Sequence, residues 1–352
     1  MQIKITGSGS YIPTIKVTNS DFGQNLFLNE DGSVFNMTNE VIAEKFVEIT
    51  GILERRYANP DMVNSDMAFI AAKKAIENSG VDPETLDYII FAHNYGDIKS
   101  NSIQSDTVPS LATRVKYLLQ IKNPKCVAYD VLFGCPGWIE GVIQAQAFIK
   151  AGMAKKCLVI GSETLSRVVD IHDRDSMIYS DGAGATVIEA TEEAGGILAH
   201  ESATYSFDEA KYLFFGNSFN KEKEEDIRYI KMHGRKIYEF ALLNVPKAMA
   251  CCLEKSGIAI TDVKKILIHQ ANEKMDEAIV NRFYKLYKME TPAGIMPMSI
   301  HKLGNSSVAT VPTLYDLIVN KEIEGQSLNK GDVILFASVG AGMNINAIVY
   351  KM

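Results

Sequence analysis

The chain has 352 residues, 47% of them hydrophobic and 22% charged, with a formal net charge of −7. That length exceeds one small core and calls for two domains or two fused halves, and the composition is that of a soluble globular protein. The negative balance gives no electrostatic case for nucleic acid or an anionic membrane as the main partner.

From the N-terminus, residues 1–11 alternate as a strand entering a Gly/Ser turn, with no basic segment ahead of an apolar signal core. No apolar run reaches the roughly 18 residues of a membrane span, so a cytoplasmic location is expected. Residues 75–81 read as a helix ending on Ser79–Gly80, and residues 86–94 as a loop and an apolar strand ending at His93. Residues 95–110 are polar and aperiodic, a loop of the length that often serves as a lid or a binding loop. Residues 128–134 form the next apolar run, a buried strand that Cys135 closes. Pro136–Gly137 and residues 138–149 follow, with apolar residues at helical spacing. Cys135 therefore stands at an expected helix N-terminus, where the dipole lowers a thiol's pKa and favours a nucleophilic thiolate. A buried cysteine acting as a small hydrophobe is the competing reading.

Further short apolar runs at 156–161, 185–189, 333–338 and 346–350 fit buried strands. Gly182–Ala183–Gly184 precedes one of them instead of following a strand and opening a helix, which excludes a dinucleotide loop. The run His172–Asp173–Arg174–Asp175 lacks a second histidine at ligand spacing and reads as a solvated charged loop. Residues 215–225 read as another loop. Residues 252–272 then echo 75–94, a helix ending on Ser256–Gly257, a loop and a strand ending at His269. The offset of 176 to 177 residues is half the chain, the mark of a duplicated α/β unit. Asn305 lies in a Gly–Asn turn opening a helix, either as its N-cap or as an amide donor, and His269 is either a hydrogen-bonded structural imidazole or a catalyst. The five cysteines (126, 135, 157, 251, 252) are odd in number and lack metal-ligand spacing, so reduced thiols and no metal are expected.

The wording around these residues resembles the beta-ketoacyl-acyl carrier protein synthase III family of the thiolase superfamily. Asp130 to Gly137 match Asp–Val–x–x–x–Cys–x–Gly, His269 to Asn272 match His–Gln–Ala–Asn, and Gly304 to Ser307 match Gly–Asn–x–Ser. Thr50–Gly51–Ile52 with Glu54–Arg55–Arg56, Gly161–Ser162–Glu163, Arg167 and the run 181–185 are further landmarks in family order. The resemblance covers essentially the whole chain. It implies a thiolase-like fold of two duplicated α/β halves in layered αβαβα arrangement, residues 1–190 carrying the nucleophile and 191–352 carrying His and Asn.

By the same resemblance Cys135 takes an acyl group from a thioester, and the amides of Cys135 and Ala341 form an oxyanion hole. His269 and Asn305 stabilise the enolate left when a malonyl-type extender loses carbon dioxide. Arg167, Met232, Gly234 and Asn272 are implied substrate-binding residues, and Arg235, Lys236 and Lys274 an implied docking surface for acyl carrier protein. No cofactor is implied; acyl-coenzyme A or acyl carrier protein thioesters are the substrates, and a homodimer is expected. The chain departs from the family where Lys45 and Ile49 replace the Trp and Arg that sandwich the coenzyme A adenine, and where residues 342–346 lack the usual aromatic. A specialised ketosynthase making resorcinol-like or polyene products, and an acyltransferase or hydrolase on the same fold, are the alternatives.

Overall fold

The computed structural model describes residues 1–222 and 226–352. Two sheets repeat one plan. In the first, Gln2–Tyr11, Asp181–Thr191, Lys156–Thr164, Tyr88–Ala92 and Val127–Val131 lie side by side in that order. In the second the order is Gly196–Thr204, Asn344–Lys351, Val333–Gly340, Val263–Ile268. The first four strands of each sheet match in chain order, and in both the first two pairings are antiparallel and the third parallel. Among the described residues only the first sheet has a fifth strand. In the second, an irregular stretch takes that flank, Ile295 accepting the N–H of Ile266 at 2.8 Å.

Hydrophobic periodicity places the helices in three layers. Asn64–Ser79 and Leu111–Leu118 cover the outer face of the first sheet, and Gly234–Ser256 and Glu273–Leu286 that of the second. Between the sheets run Gly137–Lys150 and Thr310–Val319, which are apolar almost all round because both of their sides are buried. Trp138 is fully buried there and gives its indole N–H to Thr186 at 3.2 Å, so truncation to Ala would cost about 3–5 kcal/mol. The helices ending on Ser79–Gly80 and Ser256–Gly257 both stop where the glycine turns left-handed, at φ 68° and 69°.

The structure corrects several local expectations. Residues 7–10 are not a turn: the first strand runs on through them, and Gly7 and Gly9 are small because the backbone of the helix Asn64–Ser79 lies directly on them. Gly184 is likewise inside a strand, where a Cβ would meet the Thr313 nitrogen at 2.7 Å. The strand before Cys135 ends at Val131 and is an edge strand, not a buried one, with Val127 and Leu132 exposed. Part of the expected loop 215–225 is a hairpin pairing Leu213–Asn217 with Arg228–Met232; its last three residues, 223–225, lie outside the described residues. That hairpin also changes the nature of the 172–175 run. His172 and Asp173 are buried, because Lys231 projects from the hairpin between Asp170 at 2.7 Å and Asp173 at 3.0 Å, over the ring of Phe219. An ion-paired core cluster stands where a solvated loop was expected.

Among the described residues no helix is long and apolar enough to cross a membrane, and no three His, Cys, Asp or Glu side chains are grouped to hold a metal ion.

Candidate active site

Parallel strands deliver their C-terminal ends to one side of each sheet, the usual place for a ligand in α/β folds. Here those ends carry Asn94, Cys135 and His269 to a single cavity of about 640 Å³, which Asn305 and Ser307 also line. The walls are mostly apolar, with Ile42, Phe46, Leu165, Ile178 and Met275 among them, and Met343 stands in the region where the family's aromatic is missing. One side is closed by the hairpin through Leu213, Phe214, Phe215, Ile230 and Met232. The sequence reading named only Met232 of this wall. Its signal was two short runs rich in aromatic and β-branched residues, 213–215 and 228–232, interrupted by a charged stretch.

Cys135 follows Gly134, whose φ of 69° turns the chain out of the strand and lets the first turn of the helix Gly137–Lys150 begin. The backbone at Gly340 presses against Cys135 so closely that a Cβ there would collide with the Cys135 nitrogen. Asn344 secures the same turn by donating to the carbonyl of Ala341 at 2.8 Å. The helix N-terminus does not give the depressed thiol pKa expected of it. Burial pushes the Cys135 thiol up to about 11; the Ser307 hydroxyl pulls the other way, and the carboxyl of Glu163 adds to the rise.

His269 is buried, and its Nδ1 has no hydrogen-bond partner among the described residues. Burial holds the imidazole down to about 4; the Ser307 backbone opposes this, without a hydrogen bond of regular geometry. The ring is therefore neutral at physiological pH, with Nε2 left to reach the cavity. Asn305 is not a helix N-cap. Its Oδ1 accepts the N–H of Ser307 at 2.8 Å, an Asx turn, and a 3-10 turn at Ser307–Ala309 intervenes before the helix. With the oxygen engaged, the amide NH₂ faces the cavity as a donor. The loop is pinned on its other side by bonds of Asn305 N–H to Ile178 O at 3.0 Å and Ser180 N–H to Asn305 O at 2.9 Å. Behind it, the fully buried Arg55 donates to the carbonyls of Met177 and Val17, beneath the rings of Phe22 and Phe46. This is the work of one of the landmark arginines.

The remaining sequence candidates separate. Met232, Gly234, Asn272, Ala341 and Arg235 line the cavity. Asn272 caps the helix Glu273–Leu286, its Oδ1 accepting from Met275 N–H at 2.9 Å. Arg167 is not among the lining residues; its guanidinium donates to the carbonyls of Ile98 and Asn59 and holds the 95–110 loop to the body of the protein. Lys45 and Ile49, at the altered adenine-clamp positions, are exposed lining residues, and Lys45, Arg174 and Arg235 bring cations to the mouth. Lys236 lies over the ring of Tyr212 at 5.4 Å, and Lys274 is exposed next to the lining residue Met275.

Similarity to known proteins covers the same ground. The family profile described as 3-oxoacyl-[acyl-carrier-protein (ACP)] synthase III matches residues 129–206, and that of its C-terminal part matches residues 253–352. The chain is 30% identical to a protein named beta-ketoacyl-[acyl-carrier-protein] synthase III from Erythrobacter litoralis, covering 99% of this chain and 98% of that one. It is also 30% identical to the protein of the same name from Staphylococcus epidermidis, over 100% of this chain and 99% of the other. The crystal structure of 3-oxoacyl-[acyl-carrier-protein] synthase III from Aquifex aeolicus superposes with a TM-score of 0.82 at 29% identity, covering 99% of this chain and 100% of that one.

Proposed function

The chain belongs to the 3-oxoacyl-[acyl-carrier-protein] synthase III family, and from that membership we propose that it catalyses the decarboxylative condensation of an acyl thioester with a malonyl-type extender on acyl carrier protein. The observation that carries the reading is the convergence of Cys135, His269 and Asn305 on one apolar cavity, with the histidine held neutral and the asparagine amide turned outward as a donor.

In the first half-reaction Cys135 Sγ attacks the carbonyl carbon of the acyl thioester. The thiol of the carrier leaves with the proton that Cys135 gives up, and an acyl-cysteine remains. The backbone amides of Cys135 and Ala341, brought together by the contact at Gly340, are suited to hold the developing oxyanion. In the second half-reaction the extender's carboxylate departs as carbon dioxide, and the electron pair of the broken C–C bond moves into an enolate. His269 and Asn305 stabilise its oxygen as neutral donors, which suits a site where an unpaired charge would be costly. The enolate carbon then attacks the acyl carbonyl and expels the Cys135 thiolate, releasing a beta-ketoacyl product.

The cationic mouth supports acyl carrier protein as the delivering partner, since opposite charge speeds encounter. The unpaired edge of Val127–Val131 supports a two-fold dimer, because an exposed strand edge with apolar flanks is a template for pairing. Light scattering should give twice the mass of the chain at micromolar concentration; a monomer would reject the dimer.

The test of the reaction is incubation with labelled malonyl-acyl carrier protein and a panel of acyl donors, with products weighed by mass spectrometry. A product lengthened by two carbons, with release of labelled carbon dioxide, is expected. Acyl transfer without carbon dioxide release would turn the reading to an acyltransferase.

A further inference from the structure

The sulfur of Cys135 has a partner that belongs to neither the oxyanion hole nor the His269–Asn305 pair. Ser307 Oγ donates to Cys135 Sγ across 3.3 Å, and Asn94 Nδ2 donates to the same Ser307 Oγ, also at 3.3 Å. Because the amide hydrogen occupies a lone pair of the hydroxyl oxygen, the hydroxyl's own proton is left to point at sulfur. Asn94 is itself fixed from two sides. Its backbone N–H donates to the buried Glu163 carboxyl, and the turn after it is closed by Gly96 N–H donating to His93 Nδ1 at 3.0 Å. The backbone of Ser307 sits at φ 53°, in the left-handed region, with its N–H taken by Asn305. A non-glycine residue persists there when its surroundings impose the conformation, and such outliers gather at functional sites. The chain of donors runs across the molecule, Asn94 coming from the first half and Ser307 from the second.

We propose that Ser307, oriented by Asn94, is a catalytic residue that hydrogen-bonds the Cys135 sulfur and sets how readily that sulfur carries negative charge, both in the free enzyme and when the acyl group is displaced from it. The inference rests on Cys135 being the nucleophile of the proposed reaction. The surroundings create the need for it. No imidazolium is at hand to pair with a thiolate, since His269 is held down to about 4. Burial opposes the thiolate, and the carboxyl of Glu163, itself pushed up to about 8 by burial, opposes it further once it ionises. A neutral hydroxyl donor favours the thiolate without bringing a second buried charge.

The experiment is the pH dependence of Cys135 alkylation by iodoacetamide on the whole purified protein, followed by intact mass with Cys135→Ala as the blank. Ser307→Ala should move the inflection upward by about one pH unit, so that alkylation near neutral pH slows about tenfold. Ser307→Gly removes the hydroxyl but relieves the left-handed backbone, and should give the same shift; Asn94→Ala should shift it in the same direction by less. If Ser307 only shapes its loop, Ser307→Gly will keep the wild-type inflection, and Ser307→Ala will change the melting temperature alone; either result overturns the proposal. The two readings fail separately. An acyl group found on Cys135 together with unmoved alkylation profiles sinks this inference and leaves the condensation standing. Shifted profiles in a protein that never forms acyl-Cys135 sink the condensation.

Discussion

His93 follows the strand Tyr88–Ala92 and His269 follows Val263–Ile268, the strands that hold the same place in the two sheets. His93 uses both ring nitrogens. Nδ1 accepts from Gly96 N–H, and Nε2 donates to Asp130 at 3.0 Å, while Asp130 also takes the N–H groups of Leu111 and Ala112 at 2.8 Å. The ring thus ties the 95–110 loop to the start of the helix Leu111–Leu118. His269, equally buried, has an Nδ1 without a partner among the described residues and a cavity in front of it. The helices of the central layer show the same division: Cys135 stands just before Gly137–Lys150, and Asn305 shortly before Thr310–Val319. A repeated frame fixes where a side chain lies. Its partners decide whether it holds the structure or faces a substrate.

The largest effect that bears on this contrast is expected at the nucleophile. Cys135→Ala should abolish acyl-enzyme formation, because Asn305, its counterpart before the other central helix, has no nucleophile to offer; an acyl adduct on the mutant by intact mass would remove Cys135 from its role.

The two histidines should then separate by the kind of loss. His269→Ala, like Asn305→Ala, is expected to lower the rate of carbon dioxide release by about 10²–10³ while acylation of Cys135 continues. His93→Ala should show itself first as lost stability, about 1–3 kcal/mol in urea unfolding, because it leaves the buried Gly96 N–H without its acceptor and takes one of three donors from Asp130. Equal catalytic losses at both positions with equal stabilities would dissolve the comparison.

A smaller effect lies in the pH dependence of stability. His269 is held down from 6.5 to about 4, so the unfolded chain takes up a proton that the native ring refuses. The stability that this group contributes falls as the pH drops through about 6.5 and is gone below about 4, about 3 kcal/mol in all. Glu163, raised from 4.5 to about 8, has the opposite sign. Its native carboxyl keeps a proton that the unfolded one releases, so stability falls as pH rises from about 4.5 to about 8. Urea unfolding across pH should therefore be flatter on the acid side for His269→Gln and on the alkaline side for Glu163→Gln. An unchanged slope in either variant would mean that the group is ionised in the native protein as it is in water.

The smallest effect belongs to the mouth. Arg235 pairs with Glu239 at 2.9 Å but is 91% exposed, and such pairs contribute little to stability. Charge reversal at Arg235 or Lys274 should raise KM for a carrier-bound substrate severalfold and leave that for the coenzyme A thioester unchanged. Equal shifts for both substrates, or none, would exclude these residues from docking.

Much of the site was legible in the sequence because its chemistry sits in short local motifs. Cys135, His269 and Asn305 each follow a strand or open a turn that a few neighbouring residues dictate, and the half-length echo from 75–94 to 252–272 announced the repeated sheets. Ser–Gly helix ends at Gly80 and Gly257 were equally readable, since a left-handed cap depends on one residue. What depends on distant partners was not. The thiol of Cys135 was expected low from its helix and is pushed up instead, because burial opposes the charged form more than the Ser307 hydroxyl favours it. Arg167 was expected at the ligand and is engaged by Ile98 and Asn59. His172 and Asp173 were expected in a solvated loop and are buried, Asp173 against Lys231, which lies 58 residues further along the chain. Sequence determined the two-fold α/β frame and named Cys135, His269 and Asn305, which line one cavity, because backbone propensity and local motif act over a few residues. Tertiary structure alone decided which histidine is free, which arginine is occupied and what touches the sulfur, because desolvation and hydrogen-bond partnership are set by residues that meet only when the chain is folded.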